Sequence, residues 1–390
     1  MTHNLSFPMS NRIIAHLDLD SFFVNAEKLR SPGLKNKPVV VGGLSGRSVV
    51  CSASYEARAW GVRSAMPVSL ARRLCPELVV VRGDFEYYNR LSSAVTEIVA
   101  SKSPLWEKAS IDEFYMDFTG MDKYLGAWRW LIELTWLIER ETGLSVSAGL
   151  ATSKTVGKVA TRQGKPHGRL RVDPGTEKSF LSPLPVNVLP GAGARMGDRL
   201  AAMGVRYISI LQSLPRSLMT HLFGKSGEEI WLKAHGIDNS PVNTAREAKS
   251  FSQEITFVED TDDSVLLDRT LSVMAEQLGY RLRKNNMVCG TLTLKLRYAD
   301  FDTSTRQQKI SYTACDVTLL RVARDLLKKS WTRRQRIRLL GLRTNDMVYG
   351  HYQMHLFEDK SKEFRLNKAI DSLNTRFGSG TVSRASSILK

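Results

Sequence analysis

Residues 12–23, Arg12-Ile13-Ile14-Ala15-His16-Leu17-Asp18-Leu19-Asp20-Ser21-Phe22-Phe23, form an apolar run broken by two carboxylates two positions apart. Residues 12–19 read as a β-strand, and 20–30 continue as a helix whose Phe22, Phe23, Ala26 and Leu29 share an apolar stripe. The acids therefore fall at a strand-to-helix junction. A second cluster, Ala109-Ser110-Ile111-Asp112-Glu113-Phe114, leads into another alternating run, Phe114 to Phe118. Carboxylates beside buried strands are costly unless a cation or a donor compensates them, so two such clusters imply convergence on a divalent cation. An all-oxygen ligand set favours Mg²⁺, and the pattern is that of two-metal phosphoryl transfer. Asp18 and Asp20 point to one face of a strand, which leaves both as candidate ligands. Asp112 and Glu113 would face opposite ways in a regular strand and can serve together only at a strand end or a bulge.

Outward from these clusters, Lys37 to Gly43 and Ser48 to Cys51 read as strands joined by a Gly-rich turn, and Ser54 to Trp60 opens a helix. Tyr124 to Glu141 is a Trp-rich amphipathic helix and Ser145 to Leu150 a further strand, so the fold class is α+β. Composition shifts at Asp173-Pro174-Gly175 and across Leu181 to Pro185. A helical region follows over 186–245, then a linker over 243–263. Strands are expected at Ser250 to Phe257, Gly290 to Tyr298 and Gln307 to Thr313, with helices at Ser264 to Lys284 and Asp316 to Trp331; the last forty or so residues read as a loosely attached polar tail.

The chain has 390 residues, 42% of them hydrophobic, which indicates a multidomain globular protein and excludes a disordered one. Its formal charge of +17 is regional. Residues 151–245 carry 13 basic against 6 acidic side chains and 281–345 carry 16 against 4, whereas 246–280 carry 3 against 8. Two basic stretches around an acidic one point to separate contact surfaces for a polyanion. Cys51, Cys75, Cys289 and Cys315 show no metal-binding spacing and read as reduced core residues. The N-terminus lacks a signal-peptide pattern, and no apolar run approaches the ~18 residues of a membrane span, so a cytoplasmic protein with no membrane partner is expected.

The ordered set Asp18-Leu19-Asp20-Ser21-Phe22-Phe23, Ser52-Ala53-Ser54-Tyr55-Glu56-Ala57-Arg58, Ala109-Ser110-Ile111-Asp112-Glu113 and Gly164-Lys165-Pro166-His167-Gly168 resembles the Y-family translesion DNA polymerases, closest to the DNA polymerase IV type. The resemblance spans roughly 12–345. It implies a multidomain right hand: palm (1–20 and 84–177), fingers (21–83), thumb with a helix-hairpin-helix (178–245), an additional α/β little finger (246–346) and a C-terminal tail (347–390). It also implies that Asp18, Asp112 and Glu113, with the Leu19 carbonyl, hold two Mg²⁺ ions per active site, and it favours Asp18 over Asp20. Tyr55, Arg58 and Lys165 would grip the triphosphate, with Ser52 and the Phe22 and Phe23 amides as lesser donors. Phe23 would act as a steric gate under the sugar of the incoming nucleotide. Gly191 and Gly193, in a Gly-rich turn before an amphipathic helix, and Arg333, Arg334 and Arg336 in a basic tract would bind DNA backbone.

The implied activity is template-directed, low-fidelity, low-processivity extension of primers past damaged bases, on primer-template DNA and deoxynucleoside triphosphates, by a monomer. Two other readings share the motifs: a catalytically inactive scaffold subunit, which the joint retention of Asp18, Asp112, Glu113, Tyr55, Arg58 and Lys165 opposes, and a nucleotidyl cyclase, which would leave thumb and little finger without purpose. Cys51 stands where the family usually has Ala, and Leu44-Ser45-Gly46-Arg47 alters the fingers loop, which bears on lesion preference. In the tail, Gln353-Met354-His355-Leu356-Phe357 resembles the peptide that bacterial polymerases insert into the sliding clamp, with Gln353, Leu356 and Phe357 as the contacts.

Overall fold

The computed structural model describes residues 12–121, 126–244, 247–350, 361–378, 381, 382 and 385. They form two compact units, Met1–Arg246 and Glu247–Lys390. The first is built on a five-stranded sheet of order β5-β6-β1-β7-β8, with β1 (Ile14–Leu19) at its centre. Two further strands of the sequence, β2 (Val39–Gly42) and β3 (Val50–Ala53), pair with β4 (Val79–Val81) in a separate three-stranded sheet. The large sheet is completed by β5 (Trp106–Lys108), β6 (Glu113–Asp117), β7 (Val146–Ala151) and β8 (Arg169–Arg171).

Helices follow the strands in chain order: α1 (Phe22–Arg30), α2 (Tyr55–Ala59), α3 (Val68–Leu74), α4 (Phe85–Lys102), α5 (Ala127–Thr142) and α6 (Lys154–Gly164). Side chains of β1 alternate between two cores. Ala15, Leu17 and Leu19 pack with Val95, Val99, Leu131 and Ile138 of α4 and α5, whereas His16 turns to α6, where its Nδ1 lies 2.8 Å from Thr161 Oγ1. Leu17 stands opposite Phe114 in the β1–β6 ladder, and both are fully buried. Burying each contributes about 2–3 kcal/mol, and a one-residue slip would expose both. The register that sets Asp18 opposite Glu113 is thus held by apolar packing. Helix α6 lies close on β7 because Gly149 has no side chain: a Cβ there would fall 2.4 Å from the Gly157 carbonyl oxygen.

The first unit ends in short helices, α7 (Glu177–Leu181), α8 (Ala194–Ala202), α9 (Ile208–Ser213) and α10 (Arg216–Ala234), around Leu181, Leu200, Leu211 and Ile230. The second unit is an antiparallel sheet of order β11-β10-β12-β9, formed by β9 (Phe251–Thr261), β10 (Met287–Tyr298), β11 (Thr303–Thr313) and β12 (Ile337–Tyr349). Helices α11 (Ser264–Lys284) and α12 (Asp316–Ser330) supply Leu271, Leu278, Leu319 and Ala323 to its core.

Three expectations are corrected. The linker expected over 243–263 gives way to strand from Phe251: β9 starts within the strand expected at Ser250 to Phe257 but runs on to Thr261, with Glu254 and Glu259 exposed on a strand that is only intermittently buried. The tail is not loosely attached over its middle part. There α13 (Ser361–Phe377) docks on the second unit, with Asp371 taking two bonds from Arg283, at 2.7 and 2.9 Å, and Asn367 buried. Finally, Cys75 and Cys289 are buried, but Cys315 is half-buried and Cys51 is exposed.

Candidate active site

The two acidic clusters meet across the β1–β6 ladder. Asp18 stands opposite Glu113, and the Leu19 N–H donates to the Asp112 carbonyl at 3.0 Å. Glu113 is the first residue of β6 and Asp112 lies in the bend before it, so the adjacent acids escape the alternation of a regular strand. Ser110 shapes that bend: its hydroxyl donates to Asp112 Oδ1 at 2.5 Å and accepts the Glu113 N–H at 3.1 Å. Leu19 buries its side chain, which leaves only its main chain to face the site.

Each carboxylate has its own partner. Lys165 Nζ contacts Asp18 Oδ1, and Lys158 Nζ bonds both Glu113 oxygens at 2.7 and 2.6 Å. With the side chains so engaged, no three His, Cys, Asp or Glu among the described residues form a ready metal cluster. The charge is nevertheless unbalanced. Burial raises the Asp18 carboxyl to about 7; Lys165 opposes the rise, and the Asp112 and Glu113 charges add to it. A divalent cation would relieve that repulsion, and the donors are all oxygens, so the residues fit Mg²⁺.

Asp20 has a different task. It is 1% exposed, and its two oxygens accept from Ser147 Oγ (2.9 and 3.0 Å), Ser145 Oγ (2.8 Å), the His167 N–H (2.8 Å) and Tyr55 Oη (3.2 Å). These donors fill the lone-pair directions of a carboxylate. Asp20 is a tie between β7, the loop after α6 and α2.

Of the other nominated residues, Tyr55 and Lys165 reach Asp20 directly, at 3.2 and 4.0 Å. Ser21, at φ 42°, turns the chain from β1 into α1; Phe22 is buried, while Phe23 is half-buried and stacks on Tyr88 with ring centroids 4.7 Å apart. Consecutive positions on a helix thus give one core ring and one ring at the rim. Helix α2 starts at the Ser54 cap, whose Oγ accepts the Ala57 N–H at 3.1 Å. Arg58 lies over the Tyr55 ring, Cζ to centroid 4.6 Å, with its Nε on the Ala53 carbonyl. Burial, with the Asp20 charge next, pushes the Tyr55 phenol above its ordinary range, so it acts as a donor and not as an anion. Ser52 is buried on β3 opposite Val41. Lys165 sits in a loop closed so tightly that a Cβ on Gly168 would fall 1.8 Å from the Gly164 carbonyl oxygen.

The impB/mucB/samB family matches residues 17–162, and its C-terminal domain matches 248–356. A DNA polymerase IV of Dehalococcoides mccartyi (strain CBDB1) is 35% identical over 384 residues, 96% of this chain and 97% of the relative. One from Desulfatibacillum aliphaticivorans is 36% identical over 384 residues, 97% of each. One from Xanthomonas campestris pv. campestris is 39% identical over 296 residues, 76% of this chain and 82% of the relative. The chain belongs to the Y-family DNA polymerases, DNA polymerase IV type.

In this polymerase the residues nominated for DNA contact lie in both units. Gly191, at φ 101°, and Gly193 form the turn before α8, braced by Lys233 Nζ on the Pro190 carbonyl at 3.1 Å. In the second unit Arg333, Arg334 and Arg336 are all exposed, and Arg333 pairs with Asp302 at 2.7 Å and lies over Tyr298. Gln353, Leu356 and Phe357 lie outside the described residues.

Sequence reasoning missed Lys158, Ser110, Ser145 and Ser147. Lys158 had one signal: it falls one helical turn after Lys154 and seven residues before Lys165, so α6 and the loop after it carry a row of cations toward the acids. Ser145 and Ser147 had none, because their task depends on a β1–β7 pairing that no local pattern encodes; Ser110 stands inside the second acidic cluster, and its bonds to Asp112 and Glu113 are local.

Proposed function

We propose that this DNA polymerase extends primers past damaged template bases by two-metal nucleotidyl transfer. The observation that carries the reading is the β1–β6 register, which puts Asp18 against Glu113 and Asp112 beside Leu19, with Lys165 at the same spot. Asp18, Asp112, Glu113 and the Leu19 carbonyl would hold two Mg²⁺ ions. When bound, such a pair would supply Lewis-acid activation of the primer 3′-hydroxyl and charge stabilisation for the pyrophosphate leaving group. The chain's own residues bind and orient. Tyr55 and Arg58, stacked on one face of α2, present a hydroxyl and a guanidinium to the triphosphate. Lys165, released from Asp18, adds a third donor. Phe23, half-buried in the first turn of α1, would exclude a 2′-hydroxyl with its ring.

In this reading the five-stranded sheet is the palm, the small β2–β4 sheet with α2 and α3 the fingers, the helices from α7 to α10 the thumb, and the second unit the little finger followed by the tail. Primer-template DNA and deoxynucleoside triphosphates are the substrates. The fingers core is small, nine buried residues from Val40 to Leu78, which leaves little protein to close over a base pair and fits low fidelity. The tail peptide at Gln353, Leu356 and Phe357 would reach the sliding clamp.

Primer extension with purified protein and Mg²⁺, on undamaged and lesion-bearing templates, tests the proposal. Extension past at least one lesion that stalls a replicative polymerase is expected. Full activity on undamaged template with arrest at every lesion refutes the bypass reading.

A further inference from the structure

Two ammonium groups stand where the negative charge of the site is densest, and only Lys165 has a task in the proposed function. Lys158 has none. It projects from α6, one turn beyond Lys154, which is already taken by Glu107 at 2.5 Å. Helix α6 is anchored by buried Val156, Val159 and Ala160 and by the close Gly149–Gly157 approach, so the backbone under Lys158 is fixed. Its side chain is 36% exposed. The ammonium can therefore reach Glu113 or turn out to solvent on its four-carbon stem without moving the helix.

In the structure Lys158 takes both Glu113 oxygens, at 2.7 and 2.6 Å. Three carboxylates, Asp18, Asp112 and Glu113, meet two ammonium groups here, Lys165 on Asp18 and Lys158 on Glu113. An ammonium bonded to both oxygens occupies lone pairs that a cation needs.

Resting on the metal reading above, we propose that Lys158 is an internal counter-ion: it holds Glu113 turned into the site before a divalent cation arrives and must leave that carboxylate when the cation binds. Lys158 is thus a positioning residue that sets how much cation the enzyme needs.

The test uses Mn²⁺ as probe, titrated into the full-length protein without DNA or nucleotide, with free Mn²⁺ read by electron paramagnetic resonance. Lys158→Met removes the competitor, and because the side chain is partly exposed the fold is expected to survive. A partly exposed ion pair of this kind corresponds to about fivefold in affinity, so Lys158→Met is expected to bind Mn²⁺ about fivefold more tightly than the parent. Lys158→Arg, whose fork grips a carboxylate in two places, is expected to bind Mn²⁺ no more tightly than the parent. Equal or weaker binding by Lys158→Met overturns the counter-ion role. Glu113→Gln separates this from the wider reading: if it leaves Mn²⁺ binding unchanged, or if the parent binds none, the metal assignment itself falls and the counter-ion role with it.

Discussion

Asp20 and Asp112 look alike in the sequence, yet the structure predicts opposite phenotypes for their loss. Asp20→Ala removes the acceptor for four donors, of which Ser147 Oγ is fully buried, while Ser145, Tyr55 and the His167 amide are accessible enough to be rehydrated. An orphaned buried hydroxyl costs about 1–3 kcal/mol, and each lost bond to a charged acceptor about 1.5–3 kcal/mol before the relief of no longer burying a carboxylate. A net loss of about 3 kcal/mol follows, or about 6–12 °C in the melting of a unit this size. Among the described residues the Asp112 carboxylate accepts from Ser110 alone, beside two other carboxylates, so Asp112→Ala should shift stability by less than about 0.5 kcal/mol. Intrinsic fluorescence isolates the relevant unit, because six of the seven tryptophans, 60, 106, 128, 130, 136 and 231, lie before residue 247. An Asp20→Ala protein melting within 2 °C of the parent would show that the tie is dispensable and return Asp20 to the list of candidate metal ligands.

Replacing Phe23 with Ala should remove the ring at the rim of the site and raise relative use of ribonucleotides at least about tenfold, measured as the ratio of kcat/KM for the two sugars; an unchanged ratio makes Phe23 a packing residue only. Gly168→Ala pushes a Cβ against the Gly164 carbonyl and must open the loop that carries Lys165. The KM for nucleotide is expected to rise about tenfold or more, and wild-type KM shows that the loop geometry is not needed. Leu356→Ala with Phe357→Ala should leave extension of short primers unchanged and abolish stimulation by loaded clamp; equal stimulation of variant and parent rules the peptide out.

The strand at 12–19, the strand at 114–118 and the helices at 264–284 and 316–331 were legible because each has a single clean period. The α+β class followed from them. Helices α4 and α6 carried no such mark: in α6 the buried set includes Thr155, Gly157 and Thr161, small residues chosen for close approach to β1 and β7 and not for hydropathy. Strand β9 was legible only as far as Phe257; its end, to Thr261, hides among acids because most of its side chains face solvent. The tail helix is held by Arg283, which also bonds Asp316 at 2.7 Å, a contact between residues far apart in sequence. At the site, spacing brought Asp18, Asp112 and Glu113 forward but could not tell Asp18 from Asp20. That distinction depends on Ser145, Ser147 and the His167 amide, which reach Asp20 across more than 120 residues of chain.

The most direct test of the account is single-turnover nucleotide incorporation by Asp112→Ala and Glu113→Ala, with primer-template affinity and melting measured on the same preparations. If these carboxylates hold the catalytic cations, turnover falls by at least about 10³, roughly 4 kcal/mol in barrier, while DNA affinity and melting stay near those of the parent. Incorporation within about tenfold of the parent by either variant, at saturating Mg²⁺, contradicts the assignment.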